Sequence, residues 1–482
     1  MADKARSSYQ KLFSNTLIFT LGSFSSKLLV LFLVPIYTNI LTEGELGMTD
    51  FIVQCANWLV PVVTLTISDA IIRFGLDRAY EPEKVFSIGN AVCLTGLLAA
   101  GAFVPLAAGS DTVRHYIGDY TLLLYVYVIT SSVKLLYSNF VRALEKVKLF
   151  AFNGLLTTFL TLGFTVLFLP VLRMGITGYL LAILLSDFIS VIFLLFAAKL
   201  WRYIRLPRVD VSLGRAMLRY AMPLIPTQLL WLLINLANSL LTIHFLGTEE
   251  NGILAAAYKI PNIVASVYIV FGQAWNMSAI TENDSDDRER FYTNVFASNQ
   301  SIMYVLAAGI LLLVKPVTSV WIGAQFQEAV LYAPVLIFST IFMCFTTFLG
   351  TVYVATKRTR RSFVTSLAAA AICIVFSWLL IPVWGLYAAA LSNAAAFVTV
   401  FIIRLIDARK LIRFDVSVRD VLLNAAILAA MTGFNYLHGV LSAGLLLAGF
   451  AAVTALNIRF LAKILRMLLP ARLRARIPFL RQ

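Results

Sequence analysis

The sequence predicts an all-α polytopic membrane protein of about 14 transmembrane helices, and three observations carry that prediction. The 482 residues are 60% hydrophobic and only 13% charged, whereas soluble domains carry about 25% charge. Apolar stretches of about 20 residues, the length that crosses a bilayer, recur along the whole chain. The connections between them are alternately rich and poor in lysine and arginine, as the two sides of a membrane demand.

The spans fall near 13 to 38, 48 to 70, 86 to 108, 120 to 140, 149 to 170, 176 to 198, 220 to 246, 253 to 278, 291 to 314, 328 to 355, 362 to 382, 386 to 403, 419 to 436 and 440 to 462. The acidic turn "TEGE" separates the first two, and the stretch around Arg73, Arg78 and Lys84 separates the second from the third. The segment near 109 to 119 lies between the third and fourth, and Arg142, Lys146 and Lys148 between the fourth and fifth. A short turn around Arg173 joins the fifth to the sixth, after which a long basic linker runs from Lys199 to Arg219. The turn "GTEENG" joins the seventh to the eighth, and "NDSDDRER" leads to the ninth. The remaining connections are 315 to 327, Lys357 to Arg361, "PVWG", Arg404 to Arg419 and a short last turn. Pro223 and Pro226, Pro261 and Pro334 interrupt the seventh, eighth and tenth spans and predict kinks there. No small-residue cleavage site follows the first span, so it is expected to be retained rather than removed as a signal peptide.

Nearly all of the 39 lysines and arginines lie on one side of this arrangement, and the other side has only Arg114, Arg173 and Lys315. Both termini are therefore expected in the cytoplasm. The net charge of +15 is spread through short membrane-flanking loops, so a topology signal accounts for it and nucleic acid is not a partner. The basic and apolar tail "RFLAKILRMLLPARLRARIPFLR" is expected to lie along the anionic inner surface of the membrane lipids. Cys55, Cys93, Cys344 and Cys373 fall within spans without metal-ligand spacing and read as packing residues.

An internal repeat organises the spans. "ILTEGELGMTDF" (40 to 51) and "FLGTEENGILAA" (245 to 256) match at an offset of 205, pairing Leu41 with Leu246, Glu45 with Glu250 and Gly47 with Gly252. Each is the outer turn between the first two helices of a half. The expected domains are an N-terminal six-helix lobe (1–205), a C-terminal six-helix lobe (206–405) and an additional helix pair with a basic cytoplasmic tail (406–482). Such repeats let two halves rock about a central site.

The stretch "YAMPLIPTQLLWLLINLANSLLTIHFLGTEENGILAAAYKIPNIVASVYIVFGQAWNMSAI" (220 to 280), with "SNTLIFTLGSFSSKLLVLFLVPIYTNILTEGELG" near the front, resembles the Wzx-type polysaccharide repeat-unit flippases of the multidrug/oligosaccharidyl-lipid/polysaccharide exporter superfamily. The resemblance covers essentially the whole chain. It implies two lobes set as a V, alternating access, a bacterial cytoplasmic membrane, and transfer of an undecaprenyl-pyrophosphate-linked oligosaccharide from the inner to the outer leaflet. It also implies a polysaccharide polymerase and glycosyltransferases as working partners. Members of that group often carry an acidic-basic pair in the seventh helix, where this chain has Asn238 and Ser239.

Polar residues at membrane depth are the candidate cavity residues. Lys27 lies sixteen residues from Lys11 and from Glu43, the nearest charges on either side, hence ~24 Å from each. A lysine there costs about 2.5 to 3.5 kcal/mol on insertion scales, so it faces a cavity or a partner. It would attract the pyrophosphate of a lipid carrier, or pair with Asp187, which is also near mid-depth. Lys259, just before Pro261, either faces a cavity or snorkels to the outer headgroups. Lys134 either does the same or reaches the inner surface. Arg73 pairs with Asp69 at i, i+4 or receives a phosphate bidentately. Gln54, Asn57, Gln228, Asn235, Asn238, Gln273 and Asn276 cluster in spans two, seven and eight, where amides either join helices or meet sugar hydroxyls.

No G-x-x-x-x-G-K-[ST] phosphate loop is present, so ATP on this chain does not drive transport. No cofactor is expected; a coupling ion, H+ or Na+, or the substrate gradient would supply the drive. Asp284-Ser285-Asp286 resembles the metal-binding motif of many glycosyltransferases but has no nucleotide-binding domain around it, and His115, His244 and His438 form no metal or triad spacing. The chain is therefore not expected to be an enzyme. Competing readings are a flippase for the lipid-linked peptidoglycan precursor, a multidrug antiporter, and a membrane polysaccharide polymerase or ligase. A drug-cation site would want intramembrane carboxylates, yet three lysines face Asp50, Asp69 and Asp187, of which only Asp187 is deep. A polymerase needs a sizeable outer loop, and the outer connections are short.

Overall fold

The computed structural model describes residues 31–77, 79–204, 210–281, 287–356 and 358–468, and every regular element among them is helical. In chain order these are α1 (Leu31–Ile40), α2 (Glu43–Thr64), α3 (Ile67–Gly75), α4 (Pro82–Ala108), α5 (Asp111–Ile117), α6 (Thr121–Ala143), α7 (Val147–Val166), α8 (Gly175–Ala197) and α9 (Val211–Ala221). They continue with α10 (Ile225–Leu246), α11 (Thr248–Lys259), α12 (Pro261–Thr281), α13 (Arg288–Trp321), α14 (Ala329–Ala355), α15 (Thr359–Trp384), α16 (Leu386–Leu411), α17 (Val418–Phe434) and α18 (Gly439–Leu468). Eleven described helices, some of them joined runs, are long and apolar enough to cross a membrane, and the bent pair α11 and α12 would make a twelfth. The two other expected spans are 13 to 38, of which the described residues begin at 31 and contain α1, and 419 to 436, which corresponds to α17 with 17 residues. The chain is an all-α polytopic membrane protein.

The prolines act largely as the sequence predicts. A 3₁₀ turn at Met222–Leu224 separates α9 from α10 around Pro223, and the chain bends by 49° between Lys259 and Pro261. Pro334 does not end its helix: α14 runs from Ala329 to Ala355 with the proline inside it. The second expected span, 48 to 70, is by contrast not one helix. It breaks at Leu65 and Thr66, both left-handed at φ 50°, a conformation that costs roughly 1–3 kcal/mol at each non-glycine residue. The Thr66 hydroxyl, donating to the Ala221 carbonyl at 2.8 Å, holds the break.

The basic linker also departs from expectation, since part of it is helical. Asp210 caps α9 by accepting from the backbone N–H groups of Ser212 and Leu213 at 3.0 and 3.1 Å. The Ser212 hydroxyl, with the Leu213 N–H, holds its carboxyl below the usual carboxylate range. Leu213, Met217 and Ala221 are buried while Arg215 and Arg219 face out, so α9 is amphipathic.

Contacts divide the chain into two compact units, Met1–Ala255 and Ala256–Gln482. These are units of contact, whereas the expected lobes at 1–205 and 206–405 are units of repeat, with 406–482 added to them; α9 and α10 join the first unit because α9 packs on α3 and α10 on α2. In the first unit α6 is central and packs on α2, α3, α4, α7 and α8. Phe86 and Phe140 stack at 4.1 Å between α4 and α6. In the second unit α14 is the most enclosed span, packed on α12, α13, α15, α16 and α17, with Trp275 and Phe348 stacked at 4.1 Å. The additional pair α17 and α18 lies on α13, tied by Asn457 to Asn424 at 2.7 Å and by Tyr304 to the Val421 carbonyl at 3.2 Å.

Arg404, counted among the loop charges that set topology, is instead 2% exposed inside the second unit. Its Nε donates to the Thr365 hydroxyl at 2.9 Å, one Nη to the Thr346 carbonyl at 2.8 Å and the other to the Ser366 hydroxyl at 3.0 Å. Gly350 leaves room for the guanidinium, since a Cβ there would stand 2.7 Å from Nη1. Arg404→Met should therefore lower stability by about 3 kcal/mol or more, as several buried polar groups lose a charged donor. Arg404→Lys should recover little, because one ammonium cannot span α14, α15 and α16 as a planar fork does. Melting of the purified protein in detergent measures both; native-like melting of the lysine variant would contradict the account.

Candidate functional site

In the first unit, α2 carries Asp50, Gln54 and Asn57 at i, i+4 and i+7, one stripe of a helix packed on α10. The Gln54 amide donates to Asp50 at 3.5 Å. Across on α10, the Ser239 hydroxyl lies 3.4 Å from the Asp50 carboxylate and donates to Asn251 Oδ1 at 2.9 Å. Asn251 in turn donates to the Gly47 carbonyl at 2.8 Å. Some eleven residues earlier on α10, ~16 Å along its axis, Gln228 donates to Asp69 at 2.7 Å. Polar bridges thus join these elements at two depths. Between them Asn57 and Asn235 are exposed and Asn238 is buried.

The same end contains the repeat motif in contact with itself. Thr42 and Glu45 form a capping box at the start of α2, and Glu249 and Glu250 occupy the first turn of α11, so both helix N-termini carry acid that complements their dipoles. A Cβ on Gly47 would stand 1.9 Å from the Thr248 carbonyl oxygen, and one on Gly252 would stand 1.9 Å from that of Glu43. Since 248 − 43 and 252 − 47 both equal the repeat offset of 205, the crossing is reciprocal.

The structure gives several of the candidate residues other partners than the sequence offered. Asp187, a candidate partner for Lys27, is bound by Lys134 at 2.5 Å and by the Ser131 hydroxyl at 2.9 Å, with only 6% of its side chain exposed. Lys134 therefore turns into the first unit rather than snorkelling, because Asp187 on the neighbouring α8 lies within reach of α6. Arg73 pairs with Asp77 at 3.8 Å and is 60% exposed, while Asp69 is taken by Gln228; the left-handed break before α3 turns Asp69 towards α10. Lys27 lies outside the described residues, as do Asp284-Ser285-Asp286, the basic tail from 469, and the side chains of Gln273 and Asn276. Lys259 is half-buried at the end of α11, beside the bend. Its neighbour Tyr258 accepts from the Asn393 amide. Ser131 and Asn251 were missed, and of these only Asn251 had a signal, its place inside the repeated motif; Ser239 was marked only as standing where the resembling chains often carry a charge.

Among the described residues no cluster of three or more His, Cys, Asp or Glu could hold a metal. His244 meets the Tyr116 hydroxyl at 2.8 Å.

A family model described as "Polysaccharide biosynthesis protein" matches residues 12–276, more than half of the chain. No curated protein matches the sequence. The fold is similar to that of the lipid II flippase MurJ in an inward closed conformation, with a TM-score of 0.66 and 13% identity over 94% of this chain and 99% of that one. An inward-facing multidrug resistance MATE family transporter of the MOP superfamily gives 0.60 and 14% over 82% and 95%. A MOP superfamily transporter from Pyrococcus furiosus, described as having a binding pocket of reverse polarity, gives 0.56 and 13% over 82% and 96%.

Proposed function

The chain belongs to the polysaccharide biosynthesis protein family, and from that premise we propose that it is a flippase moving an undecaprenyl-pyrophosphate-linked oligosaccharide between leaflets by alternating access. The observation that carries the reading is the pair of exposed amides, Asn57 and Asn235, at mid-length of membrane-spanning helices. Such groups are costly against lipid and suit sugar hydroxyls, to which they both donate and accept. Lysines at membrane depth, Lys27 and Lys259, add the cations that an anionic pyrophosphate requires.

Vesicles containing the purified protein and a fluorescent undecaprenyl-pyrophosphate oligosaccharide test this by the label that becomes accessible in the opposite leaflet. Transfer should require the protein and should be lost in Lys27→Ala at unchanged protein level. Absence of transfer, with or without an imposed H+ or Na+ gradient, would remove the reading. The peptidoglycan precursor is the second cargo to offer, since the likeness to MurJ extends over nearly the full length of both chains.

A further inference from the structure

The first unit also contains a long apolar trough that belongs to none of the polar sites. Its larger part, about 760 Å³, runs along α4 beside α2 and α6. A second part, about 630 Å³, continues it under α9, and the two share Ala91, Val92 and Leu218. Alanines and a glycine pave the α4 floor, at Ala91, Gly96, Ala99 and Ala100. At one mouth stand Arg215 and Arg219, exposed, one turn apart on α9 and without an ionic or hydrogen-bonding side-chain partner among the described residues.

We propose that this trough docks the carrier lipid itself, with the phosphate on Arg215 and Arg219 and the single isoprenoid chain along α4; the proposal rests on the flippase reading above. Charge and length both choose the occupant. Two guanidinium groups on one helix face match a phosphate or pyrophosphate bidentately. The floor extends from Ile88 to Ala107 of α4, ~28 Å at the helical rise, against a hydrocarbon core of ~30 Å. An ordinary acyl chain fills one leaflet, half of that length. A polyprenyl chain is long enough to occupy all of it.

Native mass spectrometry of the full chain with undecaprenyl phosphate is the test. The lipid should bind, and the double variant Arg215→Ala/Arg219→Ala should weaken it about tenfold or more. Ala99→Trp, which fills the trough, should do the same. Because the arginines are exposed, the double variant keeps the test open should the tryptophan impair folding. Farnesyl phosphate, with the same headgroup and a short tail, should bind at least about tenfold more weakly. Equal binding by the variants, or displacement by equimolar phosphatidylglycerol or inorganic pyrophosphate, would overturn the site. Leaflet transfer by the wild type together with wild-type binding in the variants would sink this inference and leave the flippase reading standing. Trough-dependent binding by a wild type that transfers nothing would do the reverse.

Discussion

Gly47→Val is expected to abolish leaflet transfer. The atoms that a Cβ at Gly47 would meet, the Thr248 carbonyl at 1.9 Å and the Gly252 nitrogen at 2.7 Å, are backbone, so no rotamer change relieves the overlap and the N-terminal turns of α2 and α11 must part. Overpacking of this kind costs about 1–3 kcal/mol even where side chains can adjust, more than the roughly 0.5 kcal/mol of helix propensity that replacing glycine by β-branched valine recovers. The separation also breaks the Asn251 bond to the Gly47 carbonyl and loosens Ser239 beside Asp50. A disulfide reports the crossing directly. Gly44 faces Thr248, whose hydroxyl lies 3.7 Å from where a Cβ would stand, so Gly44→Cys with Thr248→Cys should cross-link in a chain with its native cysteines replaced. Adding Gly47→Val should remove the cross-link and the transfer together. Retention of both would show that the crossing yields to a side chain and does not govern closure at this end.

Why this crossing was half legible bears on the rest of the molecule. The repeat marked Gly47 and Gly252 as equivalent positions, but equivalence in sequence does not state that two positions touch. Hydropathy was legible for the same reason that depth was: a bilayer imposes a length on every span, and that constraint acts along one dimension. Lys134 and Asp187 could each be assigned a depth, yet which faces of α6 and α8 meet is fixed by packing, so the contact between these two was not legible. Arg404 looked like a loop charge because Asp407, Arg409 and Lys410 follow within six residues, although α16 carries all four. The proline breaks at Pro223 and Pro261 were visible because a missing N–H is written in the residue itself. The break at Leu65 and Thr66 has no glycine or proline within it; it is imposed from outside, by the Ala221 carbonyl. Helix α9 was hidden by its arginines, which mark a linker by charge while Leu213 and Met217 mark a helix by spacing.

Lys134→Met should strongly destabilise the first unit, and Asp187→Asn should rescue it. Asp187 is buried with two donors, the Lys134 ammonium at 2.5 Å and the Ser131 hydroxyl at 2.9 Å. Removing only the lysine leaves a carboxylate in low dielectric with a single neutral donor, a loss of about 3–5 kcal/mol for breaking a buried pair. The doubly neutral pair carries no such penalty, because replacing both members of a buried ion pair is often neutral or stabilising. The side-chain amide that replaces the carboxylate still accepts from the Ser131 hydroxyl through its carbonyl oxygen. The expected order of melting is wild type and double variant close together, Lys134→Met well below. Leaflet transfer then separates structure from cargo binding. If Lys134 is fully engaged by Asp187, the double variant transfers at near the wild-type rate; a double variant that melts normally and transfers nothing would instead place the Lys134 charge on the substrate, with Asp187 as the counter-ion that the pyrophosphate displaces.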